Sequence, residues 1–145
     1  MRIIAVRRDD RFSPNSVEKD KAILQAVCNR LPYDVAMIDE CKLSENDEAD
    51  IFLSMARLPE TLTLLKAKED AGAVVVNSAY GVEACGRSML DNLMRNNNIP
   101  VPPAEGNHGY WLKRGDAAAQ SKSDVVYCQD RATLAEKEAD FVIRG

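Results

Sequence analysis

The sequence predicts an α/β protein whose first part is a parallel sheet and whose second part is a small lobe. Short apolar runs at residues 3–6, 35–38, 51–53 and 73–77 have the length of strands, and amphipathic stretches lie between them. An uninterrupted β-branched run, Val74 to Val76, is typical of a strand buried on both faces of a parallel sheet. The alternation of strands and helices favours parallel pairing with right-handed crossovers.

The composition is that of a folded globular domain. The chain has 145 residues, 46% hydrophobic and 29% charged, and is long enough to bury a core. Its 19 basic and 23 acidic residues give a net charge of −4, which provides no broad positive surface for nucleic acid or an anionic membrane. The N-terminal apolar run ends at Arg7, so we expect neither a signal peptide nor a membrane span, and a cytoplasmic protein.

Cysteine and histidine usage gives no basis for a metal site. Cys28, Cys41, Cys85 and Cys128 are widely spaced, without the close pairs that metal sites use. We expect these thiols to be reduced and mostly buried. The single histidine, His108, leaves little basis for a histidine-rich zinc site or a histidine-activated nucleophile. No metal ligand is therefore predicted.

The first 77 residues alternate strands with helices. Residues 2–7 form the first strand, which we place at the centre of the sheet. The helix that follows ends at Pro32 and is predicted to bury a stripe made of Leu24, Val27, Cys28 and Leu31. Residues 34–39 and 51–53 form the next two strands. A second helix begins at Pro59 and ends at Gly72, before the fourth strand. This order predicts a doubly wound sheet.

The second part begins with a helix and continues as a β-β-α-β lobe. After Gly86 the apolar residues take helical spacing, and three asparagines that follow Arg95 end the helix. Beyond residue 103 we predict strands at 110–114 and 124–128, a helix at 131–139 and a third strand at 140–144. Within the first of these strands, Trp111 is expected to pack inside the lobe.

Residues 74–103 resemble the ATP-grasp superfamily in the order of their parts. In that family a strand ending in Asn precedes a helix that opens with Asp-Lys and is followed by Gly-Ile-Pro-Val-Pro. Here Asn77, Gly86-Arg87 and Asn98-Ile99-Pro100-Val101-Pro102 stand at those places. The resemblance implies that residues 1–85 are a Rossmann-like pre-ATP-grasp domain. Residues 86–145 would then be a linker helix and the first part of the nucleotide lobe.

The same resemblance implies an ATP site in the second part. Lys113 matches the family lysine that reaches the ATP phosphates and the adenine edge from the first strand of the lobe. Arg87 takes the place of a basic helix-start residue, with a planar group instead of a point charge. In the hairpin that follows, Gln120 and Ser121 are candidate phosphate donors, although only Gly115 represents the family's glycine-rich loop.

Polar residues after the third and fourth strands predict a substrate site. Arg57 follows the third strand, and Asn77 and Ser78 follow the fourth. Open α/β sheets bind ligands at the carboxyl ends of their strands, and in the family this edge faces the substrate. Arg57 is a suitable partner for a carboxylate. Residues 7–10 follow the first strand and belong to the same edge.

By resemblance, the chain is the amino-terminal half of an ATP-dependent carboxylate–amine or carboxylate–thiol ligase. Such enzymes use Mg-ATP and proceed through an acylphosphate, so the expected partners are a nucleotide and a small carboxylate substrate. The magnesium carboxylates of the family belong to a second lobe. We therefore expect the native chain to continue past Gly145 and the 145-residue chain to be inactive alone.

Two other interpretations remain open at this stage. The chain is alternatively a non-catalytic module that binds a nucleotide or small ligand, or that serves assembly, and a homodimer is left open. A weaker alternative is an unrelated α/β enzyme with a pocket at the strand edge. The absence of a Gly-x-Gly-x-x-Gly run argues against a dinucleotide cofactor.

Overall fold

The computed structural model describes residues 1–103, 105–115 and 121–144. It contains a four-stranded, all-parallel sheet and a two-stranded antiparallel sheet, which confirms the α/β class. The chain divides into two compact units, Met1–Cys85 and Gly86–Gly145. Within the described ranges, no helix combines the length and the apolar character needed to cross a membrane.

The first unit is built on the parallel sheet. Its strands are β1 (Ile3–Arg7), β2 (Val35–Asp39), β3 (Ile51–Ser54) and β4 (Val74–Val76), in the order β2-β1-β3-β4. β1 pairs with β2 on one side and β3 on the other, so its predicted central position is confirmed. The chain moves to one side of β1 for β2 and to the other side for β3. A topological switch point therefore lies between β1 and β3.

Helices cover both faces of this sheet. α1 (Val17–Cys28) covers one face, where the core consists of Ala5, Leu24 and Cys28. α2 (Pro59–Asp70) and a short helix, α3 (Ala79–Ala84), pack on the other face. The larger core on that side comprises Ile4, Val6, Leu43, Phe52, Ala56, Leu62, Leu65, Val75 and Ala79. Successive β1 residues enter opposite cores because side chains alternate across a strand.

Two burial predictions for the first unit are wrong. Val74 and Val76 are 56% and 47% exposed, because β4 is an edge strand and only the face that carries Val75 is covered. Val27 is 44% exposed, because α1 packs on a small core that Leu24 and Cys28 already fill. β-branched residues favour strands in either location, so the valine run could not distinguish an edge strand from an interior one.

The second unit contains two helices and a hairpin. α4 (Arg87–Asn96) is followed by β5 (Tyr110–Lys113), β6 (Val125–Cys128) and α5 (Arg131–Arg144). The chain leaves α4 through Asn98, whose φ of 55° is the left-handed conformation that asparagine tolerates. β5 and β6 pair antiparallel, and α5 packs on them.

The predicted third strand at residues 140–144 is wrong, because α5 continues to Arg144. The Arg144 guanidinium donates to Ser123 Oγ at 3.1 Å and to Asp124 Oδ1 at 3.3 Å. It also lies 4.4 Å from the ring centre of Phe141. These contacts hold the end of α5 against the segment that precedes β6. A five-residue run is too short for periodicity to separate a strand from the end of a helix.

The prediction of mostly buried cysteines is right for two of the four. Cys28 and Cys128 are buried, whereas Cys41 and Cys85 are exposed, and all four are free thiols. Burial raises the pKa of the Cys28 thiol above its ordinary value of 9.0.

Candidate functional site

A pocket of about 410 Å³ opens at the carboxyl edge of the parallel sheet. Arg8 reaches it from the end of β1, and residues 54–57 reach it from the end of β3. Asn77 and Ser78, after β4, and residues of α3 complete the wall. The pocket therefore lies at the switch point, where open α/β sheets bind ligands. The structure brings the three predicted substrate residues together here with Arg8, which belongs to the segment 7–10 predicted at the same edge.

Two of those predicted residues use their side-chain donors in hydrogen bonds within the protein. Asn77 Nδ2 donates to the carbonyl oxygen of Ser54 at 2.7 Å, from a backbone with φ of 60°. Ser78 Oγ donates to Glu69 Oε2 at 2.8 Å, and the Ala79 amide donates to Glu69 Oε1 at 2.7 Å. These bonds shape the wall of the pocket, so neither donor is available to a ligand without breaking one of them.

Two arginines supply the uncommitted donors of the pocket. Arg8 Nη2 pairs with Asp20 Oδ2 at 3.2 Å, but Arg8 Nε is buried and has no hydrogen-bond partner in the described part of the chain. Arg57 is exposed, and its guanidinium makes no ion pair with any residue that the structure describes. A buried donor without a partner costs about 1–3 kcal/mol, and burial also keeps solvent-sized groups from Arg8 Nε, so the exposed Arg57 guanidinium is the donor that a ligand can reach.

Glu40 ties the loops of this edge together. Its side chain is only 1% exposed. Glu40 Oε1 accepts the Asp9 amide at 2.5 Å, and Glu40 Oε2 accepts the Arg57 and Leu58 amides at 2.7 Å each. The Thr61 hydroxyl donates to the Glu40 carbonyl oxygen at 2.9 Å. Sequence reasoning missed Glu40, and its only signal was its position directly after β2, at the edge where the site was predicted.

The other charges near this edge neutralise one another. Arg7 pairs with Asp39 at 2.7 Å and with Asp10 at 2.5 Å, and Lys42 pairs with Asp39 at 3.0 Å. A hydrogen bond from Lys42, and to a smaller extent one from Arg7, lowers the pKa of the Asp39 carboxyl below its ordinary value of 3.8. Arg7 is thus already paired with two carboxylates.

The second unit places two predicted nucleotide contacts near each other. Lys113 is exposed on β5, and Arg87 Nη1 donates to the carbonyl oxygen of the next residue, Arg114, at 2.5 Å. Trp111 shares the Lys113 side of β5 and is 66% exposed, so the prediction that it packs inside the lobe is wrong. The Trp111 and Tyr127 rings lie 5.3 Å apart across the two strands. This side of the hairpin is open to solvent. Packing of Trp111 inside the lobe would require another element to cover that side.

Of the two candidate phosphate donors in the hairpin, Ser121 lies within the described residues. Ser121 forms a capping box with Asp124, in which each side chain accepts a bond from the other residue's backbone. The Ser121 hydroxyl also lies 2.6 Å from Ser123 Oγ. Its polar groups are therefore engaged in holding the turn before β6. Gln120 lies outside the described residues.

The remaining findings concern metals and known proteins. Within the described ranges, no group of three His, Cys, Asp or Glu side chains is placed to hold a metal ion.

No protein family, curated protein or solved structure matches the sequence. The resemblance to the ATP-grasp superfamily therefore remains a prediction that rests on the residue pattern alone.

Proposed function

We propose that this chain is the substrate-binding, amino-terminal part of an ATP-dependent carboxylate ligase of ATP-grasp type. Its first unit would be a Rossmann-like pre-ATP-grasp domain that binds a small carboxylate. The observation that carries the proposal is the pocket between the ends of β1 and β3, which is lined by Arg57, with an exposed guanidinium that makes no ion pair in the described part of the chain, and by Arg8, which pairs with Asp20. Guanidinium groups match the planar geometry of a carboxylate and bind it with charge-assisted hydrogen bonds.

The rest of the wall favours a ligand with a short aliphatic body. Met55 and Val82, both half-buried, contribute apolar surface beside the two arginines. The pocket volume of about 410 Å³ falls in the range of small-molecule sites, roughly 300–1,000 Å³. The substrate class that fits is therefore a small organic acid, held by its carboxylate and packed along its carbon chain.

The second unit would supply nucleotide contacts. Lys113 is exposed on the same side of β5 as Trp111, and Arg87 donates to the carbonyl oxygen of Arg114, directly after the end of that strand. Both residues suit the phosphates of ATP by charge. The described residues do not offer a donor set for Mg²⁺, so no step that involves the metal is assigned to this chain.

The test of the carboxylate site is a titration with malonate, followed by ¹H–¹⁵N NMR of the backbone amides of residues 54–57 and 77–82. Wild-type protein should show saturable shifts at these amides. Arg57→Gln should weaken binding by about 10- to 100-fold, the value of a charge-assisted hydrogen bond of roughly 1.5–3 kcal/mol. The matched control is Arg30→Gln, because Arg30 is exposed after the end of α1, where its guanidinium donates to the carbonyl oxygen of Ala26, and it does not line the pocket. Unchanged affinity in Arg57→Gln would contradict the proposal.

A second candidate function is a non-catalytic assembly module, and the surface of the second unit favours it. Several large apolar side chains of that unit are strongly exposed, namely Met89, Leu93, Trp111, Val142 and Ile143, at 53, 53, 66, 82 and 83%. Exposed apolar patches mark interaction surfaces in many proteins. Sedimentation equilibrium across a hundredfold concentration range tests the assembly candidate. A concentration-dependent dimer supports assembly, and a constant monomer mass counts against it.

A further inference from the structure

We infer that Glu40 is a positioning residue for the carboxylate pocket, because its buried side chain holds both arginine-bearing loops in place. The inference rests on the proposed function, since it concerns the same site. It adds a residue whose carboxylate accepts hydrogen bonds from backbone amides and does not line the pocket. Glu40 acts through the backbone amide of Arg57 itself and through those of Asp9 and Leu58, each of which directly follows one of the two arginines.

The three hydrogen bonds connect the loops that follow the first three strands. Glu40 itself follows β2. Its Oε1 accepts the amide of Asp9, the residue directly after Arg8, at 2.5 Å. Its Oε2 accepts the amides of Arg57 and Leu58 at 2.7 Å each. One carboxylate thus fixes the backbone at both sides of the switch point between β1 and β3.

An ionised carboxylate suits this position better than any neutral group. Both of its oxygens are acceptors, and donors approach both. A glutamine of the same shape would turn its NH₂ group towards one set of backbone amides. An NH₂ group cannot accept a hydrogen bond from these N–H donors, so that set of amides would lose its acceptor. Because Glu40 is 1% exposed, water has little access to repair that loss.

The two arginines depend on Glu40 to different degrees. The Arg8 side chain has a second anchor in Asp20, at 3.2 Å. Arg57 is exposed and has no ion pair in the described part of the chain, so its backbone bond to Glu40 is its only charge-assisted anchor there. Loss of Glu40 should therefore displace Arg57 first.

The experiment compares wild-type protein, Glu40→Gln and the matched control Glu48→Gln, whose side chain is exposed. Malonate is titrated by NMR below the melting temperature, and amide hydrogen exchange is measured in its absence. We expect Glu40→Gln to weaken malonate binding about tenfold or more, as for one charge-assisted bond. The Asp9 amide, or the Arg57 and Leu58 amides, should exchange faster. Glu48→Gln should match wild type in both measurements.

These readouts separate positioning from stability alone. The chemical shifts follow folded molecules, so a purely structural Glu40 would leave the malonate dissociation constant unchanged in Glu40→Gln, and that result overturns the inference. If Glu40→Gln does not fold, Glu40→Asp replaces it, since its shorter carboxylate is expected to reach only one set of amides. Wild-type affinity in Glu40→Asp would also overturn the inference. Absence of malonate binding in wild-type protein would instead refute the carboxylate site itself, and the positioning role with it.

Discussion

Replacement of Glu40 by alanine should destabilise the first unit by about 3–5 kcal/mol, because three backbone amides lose their acceptor, at about 1–3 kcal/mol for each one that stays unsatisfied. The side chain is 1% exposed and accepts three backbone amides. Hydrogen bonds to charged groups contribute about 1.5–3 kcal/mol each, so three set an upper bound of roughly 5–9 kcal/mol. Water that enters the vacated space will satisfy part of this loss, which gives the lower figure.

The assay is urea unfolding followed by far-UV circular dichroism and by NMR signals of residues 1–85. Tryptophan fluorescence is unsuitable, because the only tryptophan, Trp111, lies in the second unit. A loss of 3 kcal/mol should move the unfolding midpoint by about 1 M urea or more, given slopes of about 1–3 kcal/mol per M. Glu48→Ala removes an exposed glutamate and should stay within about 0.5 kcal/mol of wild type.

A loss below about 1 kcal/mol in Glu40→Ala would refute the reasoning, because it would match an ordinary exposed hydrogen bond. It would mean that the three amides find water or other partners at little cost. The hydrogen bonds of Glu40 would then be too weak to fix the arginine-bearing loops.

Three further predictions concern the hairpin and the acid side of the pH profile. Lys113→Ala should weaken ATP binding by about 10- to 100-fold, measured by quenching of the neighbouring Trp111 fluorescence. Gly109→Ala should destabilise the second unit by about 2–4 kcal/mol in thermal unfolding, from the left-handed backbone and from overpacking. Gly109 has φ of 78°, and an added Cβ would collide with the Tyr127 hydroxyl. Asp39→Asn should flatten the acid limb of stability. The folded-state pKa of Asp39 is lowered by hydrogen bonds from a lysine and an arginine, so its contribution is complete above about pH 5 and is lost as pH falls through the lowered pKa.

Each of these predictions has a matched control and an opposing result. Lys21→Ala, on the exposed side of α1, should leave ATP binding unchanged, and equal quenching in Lys113→Ala would remove the nucleotide role. Gly106→Ala should be tolerated, since no atom lies within 4 Å of its added Cβ. An unchanged melting temperature in Gly109→Ala would mean that the hairpin relaxes freely. Asp34→Asn, at an exposed site, should keep the acid limb that Asp39→Asn loses. Parallel acid limbs in Asp39→Asn and wild type would remove the proposed linkage.

The sequence predicted the order of the first unit well, because apolar runs and helix-ending residues are local signals. Pro59 begins α2, and the chain turns at Gly72, whose φ is 100°. The central position of β1 followed from topology rules. The position of Arg57, Asn77 and Ser78 at one edge followed in the same way, since the carboxyl ends of parallel strands share an edge.

What the sequence did not reveal depends on contacts between distant residues. Glu40 bonds to Asp9 and Arg57, which are 31 and 17 residues away, and no local pattern marks such a carboxylate. The unpartnered Nε of Arg8 is likewise visible only once its surroundings are folded. The end of α5 depends on the bond between Arg144 and Asp124, 20 residues apart. Local apolar character alone favoured a strand there.

The most direct test of the carboxylate site is the side-chain Nε–H resonance of Arg57 in a ¹H–¹⁵N NMR titration with malonate. The Arg57 side chain is exposed and makes no ion pair in the described part of the chain, so a carboxylate in the pocket can reach it. The account predicts a saturable downfield proton shift that follows the same dissociation constant as the backbone amides of residues 54–57. An Arg57 Nε–H signal that stays fixed while malonate reaches saturating concentration would contradict the assignment of this pocket as a carboxylate site.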